Sequence, residues 1–147
     1  MSLRAQPLNS SDKHATQTFF SKRFWIIAAA LWTAAVLALA VSPNMQSSWL
    51  MKTLGDKILH GLAFTIGAIA WTKAFEAFRI WRIGIAMVVG ALAALAVGVA
   101  IELIQSYVPR RSSDVQDFLA DVLGVLAAMV IIALWHWIRV KVRLSNG

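Results

Sequence analysis

Glu102, Gln105, Arg110, Arg111, Asp114, Asp117 and Asp121 fall in one stretch, IELIQSYVPRRSSDVQDFLADVLG at 101–124, between two long apolar runs. A second polar group, Asp56, Lys57 and His60, opens another apolar run in DKILHGLAF at 56–64. A histidine beside carboxylates suits proton transfer. Paired aspartates suit a hard divalent cation, and arginines suit phosphate. Ionisable groups at membrane depth are costly, and their usual place is a functional site inside a helix bundle. The chain has no cysteine, which excludes thiolate chemistry and disulfides. Ser106, Ser112 and Ser113 stand in no nucleophile motif.

The elements that position these residues follow from hydropathy. The 147 residues are 59% hydrophobic and only 14% charged, well below the charge of a soluble domain, so the composition is that of a membrane protein. Phe24–Val41 and Ile83–Ile101 carry no charge over 18 and 19 residues, long enough to cross a bilayer. Ile58–Thr72 and Val122–Ile138 are shorter and span by recruiting residues at their ends. The expected fold is therefore all-α, a polytopic bundle of four transmembrane helices near 24–42, 56–75, 83–105 and 117–138. Residues 1–21 read as a disordered or interfacial tail, 22–140 as the spanning domain and 141–147 as a basic C-terminal tail. Val41-Ser42-Pro43 does not form a small-residue cleavage site, so the first run is read as a retained span.

Ten of the fourteen Lys and Arg residues flank the N-terminus, the middle loop and the C-terminus, against four on the other side. This places both termini in the cytoplasm. Trp25, Trp71, Trp81, Trp135 and Trp137 gather at the same ends as interfacial anchors. Five of the seven carboxylates lie at the opposite, extracytoplasmic ends. The net charge of +7 is thus explained by orientation and contact with anionic head groups, and nucleic acid is not an expected partner.

Residues at i, i+3 and i+4 share a helix face. Asp56, His60, Phe64 and Gly67 then align on the second span, Glu102 and Gln105 on the third, and Asp117, Asp121, Gly124 and Ala128 on the fourth. Gly90, Ala94 and Gly98, with Ala120, Gly124 and Ala128, form small-residue stripes that let backbones approach in lipid. The acids of the fourth span border its stripe and should point into the bundle. The expected result is a shallow outer pocket of Asp56, Lys57, His60, Glu102, Gln105, Asp117 and Asp121, with Arg110 and Arg111 over it from the loop. Ser112 or Ser113 is expected to cap the fourth helix. A bland account stands beside this one: Asp114 as a helix-terminal charge, Lys57 snorkelling to the interface, and the rest as a structural ion network.

Asp56-Lys57, His60 and Phe64, then Glu102 and Gln105, then Arg110 or Arg111, Asp117 and Gly124 together resemble the VanZ-like family of small bacterial membrane proteins, over roughly residues 45–130. One departure is Asp121, where the family commonly has asparagine. A second carboxylate four residues from Asp117 favours shared protonation or a bound cation. The resemblance implies a multi-pass protein of the bacterial inner membrane, in a family named for low-level teicoplanin resistance and associated with the cell envelope.

Three functions compete. The first is a binding protein whose pocket holds the head group of a lipid-linked envelope precursor or another amphiphile. The second is an enzyme acting on a lipid head group, with His60, Glu102 and Asp117 as catalytic candidates and Asp56 or Glu102 orienting His60. The third is an ion pathway, disfavoured because the acids occupy one membrane edge. No cofactor is expected. Asp117 and Asp121 are weak metal candidates, for a divalent cation held through oxygens.

Overall fold

Lipid offers no partner to backbone N–H and C=O groups, so a chain of this composition satisfies them within helices. The computed structural model describes residues 10–42, 55–78, 82–108 and 114–145, with side chains from Lys22 onward, and the described residues contain no strand. The helices are α1 (Ser10–Ala40), α2 (Asp56–Glu76), α3 (Ile83–Gln105) and α4 (Val115–Ser145). All four are long and apolar enough to cross a membrane.

The expected spans lie within these helices to within a residue or two, and two helices extend well past their apolar runs. α1 begins upstream at Ser10, and α4 continues through Lys141 and Arg143 to Ser145. Basic residues in a last turn complement the carbonyl end of a helix, which favours that continuation. α3 ends at Gln105, ahead of Pro109, and its chain leaves through a turn in which Val108 N–H donates to the Gln105 carbonyl at 3.1 Å.

α2 is the central helix, packed against α1, α3 and α4. Small residues make this possible. Ala68, Ala70, Thr72 and Ala74 of α2 are buried, as are Gly90, Ala94 and Gly98 of α3 and Ala120, Gly124 and Ala128 of α4. The two expected stripes are thus the contact faces. α2 and α4 pass close together at Gly61 and Gly124, where a Cβ on Gly124 would collide with the Gly61 carbonyl. The Thr65 hydroxyl lies 2.7 Å from the Gly61 oxygen and 3.0 Å from the Gly124 oxygen, tying the backbones together at that point.

Phe64 fills the core between these helices at 1% exposure. Trp32 of α1 meets it edge to face at 5.3 Å, and the Trp32 indole N–H donates to the Ala63 carbonyl at 2.9 Å. Large apolar side chains face outward instead, among them Leu31, Leu62, Ile66, Leu92, Leu103 and Leu123. An apolar exterior around a core of small residues is the packing expected in lipid.

Candidate functional site

The N-terminal ends of α2 and α4 and the C-terminal end of α3 meet at one end of the bundle. α2 starts after Gly55, whose φ of 79° and ψ of 150° lie in a region that side-chain-bearing residues rarely adopt. Asp56 then sits in the first turn of α2 and Asp117 in the first turn of α4, where the N-terminal ends of helices favour negative charge. Asp114 caps α4, its Oδ1 accepting from Gln116 N–H at 2.8 Å. That is the role expected of Ser112 or Ser113, which lie outside the described residues.

The cluster has a deep part and an open part. Deep in the bundle, His60 Nδ1 stands 2.8 Å from Asp121 Oδ1, and Asp121 is fully buried. With Asp121 ionised, the carboxylate accepts and Nδ1 carries the proton. The other nitrogen, Nε2, faces Asp56 Oδ1 at 3.8 Å, beyond hydrogen-bond length. Asp121 Oδ2 is packed close to Gly98, where a Cβ would stand 2.9 Å from it. Nearer the surface, Lys57 Nζ lies 3.2 Å from Asp114 Oδ2 and 3.3 Å from Asp117 Oδ1. Its side chain is half-exposed while that of Asp117 is 9% exposed. The Gln116 amide, and after it Lys57, hold the Asp114 carboxyl below the usual carboxylate range.

Glu102 joins α3 to α4. Its Oε2 accepts from the Asp114 N–H at 2.9 Å, so one side chain closes the connection between the helices. Gln105, one turn on, is buried at the same end.

Three carboxylate oxygens are buried without a hydrogen-bond partner among the described residues: Asp56 Oδ1, Glu102 Oε1 and Asp121 Oδ2. Buried acceptors are normally satisfied, and each exception asks for an explanation. Five carboxylates here face one lysine and one histidine among the described residues. The cluster thus has acceptor capacity to spare for a hydroxyl, an amine or a cation. Asp56, His60 and Asp117 each offer one ligand atom, all within 4.8 Å of one another. With Nδ1 engaged by Asp121, Nε2 is the nitrogen left for such a contact, and a carboxylate behind a ligating histidine is a common arrangement.

The structure brings together Asp56, Lys57, His60, Glu102, Asp117 and Asp121 and buries Gln105 beside them. Arg110 and Arg111 lie outside the described residues. One pairing differs from expectation. His60 is held by Asp121 at 2.8 Å, with Asp56 farther off at 3.8 Å. Lys57 bonds Asp114 and Asp117. Asp117 contacts Lys57, and Asp121 contacts His60. Asp114 is the participant that the sequence understated, because its cap and its bond to Lys57 both depend on how α2 lies against α4.

A model of the VanZ/LLP1 family matches residues 4–136, which include every described residue of the cluster. No curated protein and no solved structure matches the chain.

Proposed function

The chain belongs to the VanZ/LLP1 family, and on that premise we propose that it is a binding protein of the bacterial inner membrane, with the cluster facing the extracytoplasmic side. The orientation rests on the ten-to-four distribution of Lys and Arg. The ligand is the head group of a lipid-linked envelope precursor or a similar amphiphile. The observation that carries this reading is the set of buried carboxylate oxygens on Asp56, Glu102 and Asp121 that have no donor among the described residues. Sugar hydroxyls and amines are donors, and charge-assisted bonds to carboxylates are strong. Lys57, half-exposed, supplies the phosphate side of the binding set, and the sequence offers Arg110 and Arg111 for the same role. Through such a ligand the chain contributes to envelope metabolism or to glycopeptide resistance of the teicoplanin type, with which the family is linked.

A second reading is favoured by one observation, the 2.8 Å contact of His60 Nδ1 with buried Asp121. A ring oriented by a carboxylate, with Nε2 directed away from it, is the geometry of a general acid/base. His60 would then act on a lipid head group at the outer leaflet.

Binding of a polyprenyl-diphosphate-linked disaccharide to the purified full chain, measured for the parent, Asp117→Asn and His60→Gln, separates the two. The binding reading expects saturable association, weakened about tenfold by Asp117→Asn, which removes the charge that holds Lys57 in the binding set, and no turnover. Turnover of the labelled probe that His60→Gln abolishes while association persists establishes the enzyme. No saturable association with the parent contradicts both.

A further inference from the structure

We propose that the opposite end of the bundle holds a seat for one anionic glycerophospholipid, in the groove where α1 and α4 flank α2. The groove has a volume of about 770 Å³ and is lined by Lys22 and Trp25 of α1, Lys73 of α2, and Ile131, Trp135 and Arg139 of α4. That volume is typical of small-molecule sites.

The charges are arranged as a rim. Glu76 is the one carboxylate of the lining, and it is taken up by Lys73 at 2.6 Å. Lys22 and Arg139 form no ion pair among the described residues. The Arg139 guanidinium lies over the Trp135 ring, 4.7 Å from its centroid, which orients it without neutralising it. Two cationic groups therefore converge on a cavity whose own acid is already spent.

Below the rim the wall is apolar and open. Ile131 and Trp135 are about half exposed. An acyl chain covers such a wall, and a phosphate carrying net negative charge fits the rim. A soluble phosphate satisfies the rim alone, and a zwitterionic lipid brings its own ammonium to two cations without an acid among the described residues. Basic pockets between transmembrane helices suit anionic head groups in this way. The seat shares no residue with the cluster around His60, so it stands or falls separately from the function proposed for that cluster.

The test uses the full chain in nanodiscs of phosphatidylcholine with a minor fraction of phosphatidylglycerol, extracted in mild detergent and weighed by native mass spectrometry. The parent is expected to retain one phosphatidylglycerol in preference to phosphatidylcholine. The double change Lys22→Gln with Arg139→Gln lowers that preference by about tenfold or more. Ile131→Trp, which fills the groove and leaves the charge unchanged, lowers it as well. Arg82→Gln, a cation that does not line the groove, leaves it intact. Equal retention of the two lipids by the parent overturns the proposal. So does an equal loss in Arg82→Gln, which would mark a diffuse charge effect, or undiminished retention in Ile131→Trp.

Discussion

His60 of α2 and Asp121 of α4 lie 2.8 Å apart across a helix crossing where the Asp121 side chain is fully buried. His60 adjoins Gly61, and Asp121 lies three residues before Gly124, where an added Cβ would collide with the Gly61 carbonyl. Backbone packing and polar pairing therefore reinforce each other: the glycines bring the helices close, and closeness lets a short aspartate reach an imidazole. The same aspartate retains one buried oxygen without a donor among the described residues, so the tie leaves acceptor capacity unused.

Replacement of Asp121 separates these roles. Asp121→Asn keeps an acceptor for His60 Nδ1–H and should cost about 1 kcal/mol or less of stability. Asp121→Leu leaves that donor buried and unsatisfied, a loss of about 1–3 kcal/mol. Thermal unfolding of both variants in one detergent checks the order. A leucine variant as stable as the asparagine variant would show that the pair is not a tie.

Close approach at Gly124 makes a prediction independent of charge. The atoms that a new Cβ meets there are backbone atoms of Gly61, so one helix must move. Gly124→Ala should destabilise by about 1–3 kcal/mol, the usual cost of overpacking. Gly84→Ala, on α3 where an added Cβ meets nothing within 4 Å, should be neutral or gain about 0.5–1 kcal/mol from helix propensity. Unfolding midpoints of the two variants should move in opposite directions or differ by several degrees.

Asp114 predicts a pH dependence with a definite sign. Its carboxyl is held below the ordinary range by Gln116 N–H and Lys57, so the folded state binds its proton less readily than the unfolded state. The stabilisation is then complete above the ordinary aspartate pKa of about 3.9 and is lost as pH falls through the lower folded value. The gap in melting temperature between the parent and Asp114→Asn should be constant from pH 7 to 5 and close on further acidification. A gap that widens on acidification would reverse the assignment.

The orientation is tested in the cysteine-free background. Tyr107 is exposed at the cluster end, and Phe78 is exposed at the end of α2 that carries Lys73 and Glu76. Tyr107→Cys in intact cells should react with a membrane-impermeant thiol reagent, and Phe78→Cys should react only after the membrane is opened. The reverse pattern would place the cluster in the cytoplasm.

Much of this architecture was legible in the sequence because its signals are local. Uncharged runs of 18 and 19 residues mark spans whatever packs beside them. Four-residue spacing of Gly90, Ala94 and Gly98, and of Ala120, Gly124 and Ala128, marks the contact faces, and the structure buries all six. The partners were less legible. Spacing puts Asp117 and Asp121 on one face of α4, but the rotation and height of α2 decide that Lys57 takes the first and His60 the second. The bond from Asp114 N–H to Glu102 depends on a turn that returns α4 to the end of α3, and no periodicity encodes it. Lys57 shows the limit most clearly: a lysine at a helix start near a membrane edge has the same sequence signature whether it reaches toward head groups or toward acids on a neighbouring helix.

The central claim is that the cluster end of the bundle meets the head group of a lipid-linked envelope precursor. A photoactivatable residue at Tyr107, exposed at that end and two positions past buried Gln105, tests it most directly in living cells. Illumination should yield an adduct whose mass is that of the chain plus a polyprenyl-linked glycan, diminished by Asp117→Asn and absent when the same residue is placed at Phe78. Adducts to bulk phospholipid alone, or polyprenyl adducts of equal yield from both ends, would contradict the claim.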